Sequence, residues 1–234
     1  MMRHIQEQKR KSEQMTTTIN NIEWREVKVI SFDLDDTLWD NTGVIERCNN
    51  KLFDFLCQNH PPIKHHFTLD SIQRLSEQLM LLQSKELENM TVLRKHIIRT
   101  MLEETAGDMN LVNQAFAVFY HWRNQINIPQ VSIRLLHKLK KKYDLFAVSN
   151  GNSNLNKLGI RHFFEKHFIA GIDGRAKPSP EMLIKICNLK SIRPQQLLHI
   201  GDSYDTDIMG SISAECQHLE INIHQLSALE QQFV

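Results

Sequence analysis

The chain has almost no net charge, no paired cysteines and no long apolar run, and each absence removes a class of function. Its formal charge is only +1, so no global field draws it to nucleic acid or to an anionic membrane surface. Cys48, Cys57, Cys187 and Cys216 are scattered and form no C-x-x-C unit. That argues against a structural zinc site and a disulfide framework, and suits thiols in a reducing cytoplasm. No apolar stretch approaches the roughly 20 residues needed to span a bilayer. The first 20 residues also lack the apolar segment of a secretory signal. The 12 histidines are dispersed, and His162 with His167 has no evident partner for holding a metal. What remains is ordinary globular composition, 41% hydrophobic and 24% charged. Its 234 residues suit one domain with an insertion, or two small ones.

Residues 1–22 carry Lys9-Arg10-Lys11, Thr16-Thr17-Thr18 and several glutamines, and read as a loose polar tail. Val27 to Phe32 is the first predicted strand. Apolar residues then recur at helical spacing over Ile45 to Cys57, Leu69 to Lys85, Thr91 to Thr105 and Leu111 to Trp122. Residues 41–126 therefore read as an all-helical insertion, the kind that acts as a lid. It divides an α/β core made of residues 23–40 and 127–234. In the second part, Val131 to Lys142 is an amphipathic helix whose lysine-rich end suits its dipole. Strands follow at Leu145 to Val148, Phe168 to Ala170 and Leu197 to Ile200, with a short helix over Leu155 to His162. Ser179-Pro180-Glu181 predicts another helix start, with serine as the cap and proline in the first turn. Strands alternating with helices imply a parallel sheet covered by helices on both faces.

The first strand ends in Asp33-Leu34-Asp35-Asp36-Thr37. An apolar run that stops at carboxylates puts them at the carboxyl edge of a parallel sheet, where open α/β folds bind ligands. Two carboxylates so close can act as nucleophile and acid/base, with a metal offsetting their charge; they would equally serve as a solvated acidic turn. The other strand ends offer Ser149-Asn150-Gly151 and Gly201-Asp202 with Asp207 downstream, and Lys177 lies in a loop between them. Each has an ordinary reading as turn, cap or solvated lysine. In a parallel sheet, however, all four groups converge on one edge.

In this order the motifs resemble those of the haloacid dehalogenase (HAD) superfamily phosphatases: Asp33-Leu34-Asp35-Asp36-Thr37, Ser149, Lys177-Pro178, and Gly201-Asp202 with Asp207. The match runs from about Val27 to Gly210, and the helical insertion matches that family's type-1 cap. The resemblance implies a Rossmann-like α/β core and a phosphoric monoester hydrolase. Asp33 would be the nucleophile, Asp35 the acid/base, and Ser149, Asn150 and Lys177 the phosphate-binding groups. Mg²⁺ would be held by Asp33, the Asp35 backbone carbonyl and Asp202, with Asp207 behind, orienting Lys177 or water. True haloacid dehalogenases lack the aspartate two residues after the nucleophile, so Asp35 favours phosphate chemistry.

Thr37-Leu38-Trp39-Asp40-Asn41, Ser149-Asn150-Gly151-Asn152, Gly174-Arg175-Ala176-Lys177-Pro178 and His199-Ile200-Gly201-Asp202 further resemble a bacterial branch, as does the segment Thr91-Val92-Leu93-Arg94. Its members act on FMN and on 5-amino-6-(5-phospho-D-ribitylamino)uracil, so a small phosphorylated metabolite of riboflavin metabolism is the implied substrate. A sugar-phosphate or nucleotide phosphatase, a phosphomutase, and a non-catalytic binding protein on the same scaffold stay open. So does the choice between monomer and homodimer; neither nucleic acid nor membrane is an expected partner. Arg94 faces either ligand or solvent, and Trp39 either stacks on a ring or packs at the hinge of the insertion. One departure from the family lies after the fourth motif. The glycine usual after the helix is absent, and the last strand and its loop read as shortened.

Overall fold

The computed structural model describes Ile19, residues 21–82 and residues 84–233. Most of the expected tail over residues 1–22 lies outside the described residues. Its end departs from that expectation, because Ile19 and Ile22 are buried against the core at 1% and 9% exposure.

Five parallel strands make the sheet: β1 (Val29–Phe32), β2 (Asp144–Ser149), β3 (Lys166–Ile169), β4 (Leu197–Gly201) and β5 (Gln217–Glu220). Their spatial order is β3-β2-β1-β4-β5, so β1 is central and pairs with β2 on one side and β4 on the other. The central strands are buried along almost their whole length because both faces are covered. Ile30, Phe32, Ala147, Leu198 and Ile200 point to one face, against α6 (Gln130–Lys140) and α9 (Leu226–Gln231). Val29, Phe146, Val148 and Leu197 point to the other, against α7 (Glu181–Lys190). The alternating elements thus form the doubly wound α/β core that the sequence pattern predicts.

Between β1 and α6 every element of the chain is helical: α1 (Val44–Asn59), α2 (Ile63–His66), α3 (Leu69–Leu81), α4 (Met90–Glu104) and α5 (Leu111–Arg123). These helices enclose an apolar cluster of their own, with Cys48, Leu52, Leu56, Ile97, Met101 and Phe119 among its members. Caps set their starts: Thr68 and Ser71 form a reciprocal box at α3. The Asn89 side chain accepts from Thr91 N at 2.9 Å to start α4. The insertion is tied to the sheet edge by Arg175 to Glu88 at 2.6 Å, Asn154 N to Asn124 Oδ1 at 2.7 Å and Asn154 Nδ2 to Tyr120 OH at 3.1 Å.

Three local expectations change. Residues 155–162 form turns, with a single 3-10 turn at Arg161–Phe163 in place of a helix, because Gly159 takes a positive φ of 73° and breaks the run. Pro180, not Ser179, occupies the cap position of α7. The chain end is short but structured. After α8 (Met209–Ser213), β5 pairs with β4 and the chain returns beside the first motif, where Ile223 N donates to Asp36 O at 2.8 Å. Leu226 and Leu229 of α9 are fully buried, and Glu230 pairs with Arg134 and Lys138 of α6.

Candidate active site

The parallel register brings Asp33, Ser149 and Asp202 to one edge, as the strand-end argument requires. Asp33 follows β1 directly and stays in register with β4, its N–H donating to Ile200 O at 2.8 Å. Lys177 reaches in from the loop before α7 and is only 3% exposed. Its ammonium donates to Asp33 Oδ1 at 2.5 Å, to Asp207 Oδ1 at 2.5 Å and to Val148 O at 2.9 Å, which uses all three of its protons. Asp207 sits in a π-turn, Tyr204–Ile208, a local widening often found at functional positions. The turn packs so closely on β4 that a Cβ on Gly201 would lie 2.2 Å from Asp207 Cγ, and glycine is therefore required there.

Carboxylate oxygens of Asp33, Asp202 and Asp207 lie within 4.8 Å of one another. Three carboxylates facing one ammonium leave negative charge in excess. Burial raises Asp33 to about 7, against the pull of Lys177, and it also raises Asp202. Burial pushes on Asp207 in the same direction, but Lys177 and His199 more than reverse it and hold this carboxyl low. A hard-oxygen set with surplus negative charge suits Mg²⁺. Asp207 is already committed to Lys177, to His199 Nε2 at 3.1 Å and to Ser203 N at 3.1 Å. Asp33 and Asp202 are thus the side chains left to hold a cation, and Thr37 Oγ1 orients Asp202 at 2.8 Å.

Asp35 points away from this cluster. Trp39 Nε1 donates to its Oδ1 at 2.9 Å, and the Arg123 guanidinium donates to its Oδ2. Arg123 is the last residue of α5 and 1% exposed, so the helical insertion itself grips the second aspartate. Trp39 is fully buried. Its hinge packing agrees with one of its two sequence readings, while the bond to Asp35 goes beyond both. Gly151 leaves room for this contact: a Cβ there would lie 2.9 Å from Asp35 Oδ2 and 3.2 Å from Arg123 Nη2.

Ser149 is buried, with its Oγ accepting from Gly151 N at 2.8 Å. The Asn150 side chain accepts from Lys177 N at 2.8 Å and donates to Lys177 O at 2.9 Å. The amide positions the lysine with its carbonyl and one N–H, and its second N–H remains a donor beside the backbone.

The parts that three residues play in the site escaped sequence reasoning. Arg123 lies 88 positions from Asp35, and nothing local distinguishes it from a solvated helix-end arginine. His199 is fully buried and spans Ser31 Oγ at 2.8 Å and Asp207; burial lowers its pKa. A polar pair, Ser31 and His199, facing each other across two apolar strands was the available signal. Thr37 was visible only as part of the first motif.

Residues 27–215 match the family model described as haloacid dehalogenase-like hydrolase. The chain is 32% identical over 199 residues to 5-amino-6-(5-phospho-D-ribitylamino)uracil phosphatase YigB of Escherichia coli (strain K12), covering 82% of each chain. It is 23% identical to the N-acylneuraminate-9-phosphatase of Homo sapiens over 80% of this chain and 79% of that one. Among solved structures, the 2-haloacid dehalogenase from Pseudomonas syringae pv. tomato DC3000 superposes with a TM-score of 0.80 at 25% identity, over 88% of this chain and 97% of the other.

Proposed function

We propose, for a chain that belongs to the haloacid dehalogenase-like hydrolase family and is one of its phosphatases, a Mg²⁺-dependent phosphomonoester hydrolase that works through an aspartyl-phosphate on Asp33. The observation that carries this reading is the Asp33–Lys177–Asp207 chain beside a separately held Asp35. One carboxylate is placed beside a cation that can neutralise a phosphoryl group. The other is oriented for proton transfer and kept apart from the first.

In the first half-reaction an Asp33 oxygen forms a bond to phosphorus as the ester P–O bond breaks. Asp35 gives its proton to the departing oxygen. In the second, Asp35 takes a proton from water, whose oxygen attacks the aspartyl-phosphate and releases inorganic phosphate and free Asp33. Ser149 Oγ and the backbone N–H groups after β2 bind phosphoryl oxygens, and Lys177 stabilises their charge. Asp33 and Asp202, with the Asp35 backbone carbonyl, would hold the cation. When bound, Mg²⁺ supplies Lewis-acid stabilisation of the negative charge gathered between nucleophile and phosphate. Asp35, with its arginine and tryptophan partners, supports phosphate transfer over the dehalogenation named for the Pseudomonas protein. The insertion serves as the cap over this edge.

The substrate we propose is a phosphate on a ribityl chain attached to a planar heterocycle, either 5-amino-6-(5-phospho-D-ribitylamino)uracil or FMN. Support comes from the bacterial relative and from the local motifs around Trp39, Asn152 and Arg175. The setting we propose is the cytoplasm; among the described residues no helix is long and apolar enough to cross a membrane. The test is a phosphate-release panel with Mg²⁺ that includes both compounds, sugar phosphates, nucleotides and p-nitrophenyl phosphate. Turnover should vanish with EDTA or in Asp33→Asn. Undiminished activity of that variant would remove the nucleophile assignment, and a clear preference for a sugar phosphate would replace the substrate.

A further inference from the structure

Arg94, on the first turns of α4, is 6% exposed. Among the described residues no carboxylate pairs with it; its guanidinium lies 4.5 Å over the Phe119 ring. A cation–π contact returns less than the desolvation of an ion costs. That imbalance is abnormal for a buried charge, which is nearly always paired. Burial lowers the Arg94 pKa to about 10, and the only charge partner acting on it is the buried Cys48 thiol.

Arg94 lines a cavity of about 530 Å³ between α1, α3 and α4, together with Asn49, Ser76, Met80 and Met90. The Asn49 side-chain oxygen is itself buried without a partner. Glu46, Asp70 and Glu77 also line this space, but all three are exposed on its rim. Met80 and Met90 are shared with a second cavity of about 310 Å³, whose other lining includes Asn150 and Arg175. The two spaces therefore adjoin, and run from Asn150, whose side chain holds the Lys177 backbone, to the guanidinium in the cap. Met80 and Met90 make an adaptable apolar waist between them.

We propose that Arg94, with Asn49, forms a second substrate subsite in the cap, which takes a planar oxygen-rich group at the far end of the phosphorylated molecule, either an imide or a carboxylate. The guanidinium donates a pair of N–H groups to a carboxylate, or an N–H to one imide carbonyl, and the Asn49 amide completes the contact with an N–H or a carbonyl. The methionines enclose the linking chain. This rests on the phosphomonoesterase reading, and assigns what the cap recognises once phosphate is seated at Lys177.

The test uses full-length Asp33→Asn protein, so that binding is read without turnover. Three phosphate esters on similar polyol chains are titrated by calorimetry: FMN, ending in an imide; 6-phosphogluconate, ending in a carboxylate; and ribitol 5-phosphate, ending in neither. One of the first two should bind at least tenfold more tightly than ribitol 5-phosphate, and the winner identifies the group. Adding Arg94→Met should erase that margin, and Arg94→Lys should restore part of it. Equal weakening of all three ligands by Arg94→Met, or no margin in the parent protein, overturns the subsite. If the margin is present but wild-type protein with Mg²⁺ releases phosphate from none of the three, the phosphatase reading fails and the subsite stands.

Discussion

Lys177 and Arg94 are both buried cations, at 3% and 6% exposure, and their surroundings are opposite. Lys177 sits between Asp33 and Asp207 with a backbone carbonyl as its third acceptor. Asp207 is in turn held by His199, and Asp202 by Thr37. The sheet edge thus has surplus negative charge on groups that are nearly all hydrogen-bonded. In the helical region the buried charge is positive and short of partners. Arg94 has an aromatic ring, Arg47 Nε and Arg123 Nη1 are buried without acceptors, and only Arg123 meets a carboxylate. All three arginines pull down a Cys48 thiol that burial pushes up. The lower region asks for a cation and the upper one for an acceptor. The proposed ligand, a phosphate ester with a second oxygen-rich end bound beside Mg²⁺, would answer both.

The sharpest way to break this contrast is to remove each cation and measure unfolding free energy in urea. Lys177→Met leaves Asp33 and Asp207 facing each other without their ammonium and should cost about 3–5 kcal/mol. Arg94→Met removes a charge that has no ion partner, so its cost should stay within about 1 kcal/mol, or turn to a gain. Similar large losses from both would mean that Arg94 has a structural partner after all.

Arg123 joins the two regions. Arg123→Met frees one side of Asp35, and kcat on an alkyl phosphate should fall by about 10²-fold, within the range for acid–base catalysis. p-Nitrophenyl phosphate has a leaving group that needs little protonation, so its kcat should fall much less. Equal losses on both esters would show that Arg123 supports the fold of the site rather than the orientation of Asp35.

The lower region was legible in the sequence and the upper one was not, for a physical reason. A buried parallel strand must end where its apolar run ends, so Asp33, Ser149 and Asp202 announce their own position. Lys177 and Asp207 follow from the same edge. Five helices over residues 44–123 were also readable from periodicity, apart from the one-turn α2, which is too short to show a period. What periodicity cannot show is which face of one helix meets another. Arg94 and Arg123 carry the same pattern as solvated arginines, and only the packing of α4 on α5 and of α5 on α1 buries them. Asn150 marks the converse limit. Its place was readable, but its use on the Lys177 backbone depends on a loop 27 residues away.

His167 tests whether lack of partners, rather than location, sets the state of a buried base. It lies on β3 of the core, yet its Nε2 is buried without a partner, as in the cap. Burial lowers its pKa from 6.5 to about 4, outweighing the opposite pull of Asp173. The unfolded chain takes up this proton as pH falls through 6.5, while the native protein refuses it until about 4. The contribution to stability is therefore complete above the upper value and is lost progressively down to the lower one. Wild-type protein should lose about 3 kcal/mol more than His167→Phe between neutral and acid limits of that window, as read by thermal unfolding. Parallel pH profiles would mean that His167 is solvated.

The smallest expected effect separates the two regions as folding units. After α8 the chain closes a Schellman turn, with Glu215 N donating to Ile212 O at 3.0 Å and Cys216 N to Ser211 O at 2.9 Å. Glu215 holds the left-handed position at φ 57°, which glycine favours at a helix end. A side chain there costs about 1 kcal/mol relative to glycine. Glu215→Gly should therefore stabilise the protein by that amount and raise Tm by about 2–4 °C for a domain of this size. The substitution touches the core alone, since Glu215 is exposed beside β5 and far in sequence from the helical insertion. If calorimetry shows one transition and it moves as a whole, the Arg123–Asp35 contact and its neighbours couple the cap to the sheet. If two transitions appear and only one moves, the cap melts by itself. The surplus charge buried around Arg94 then lowers the stability of the cap alone.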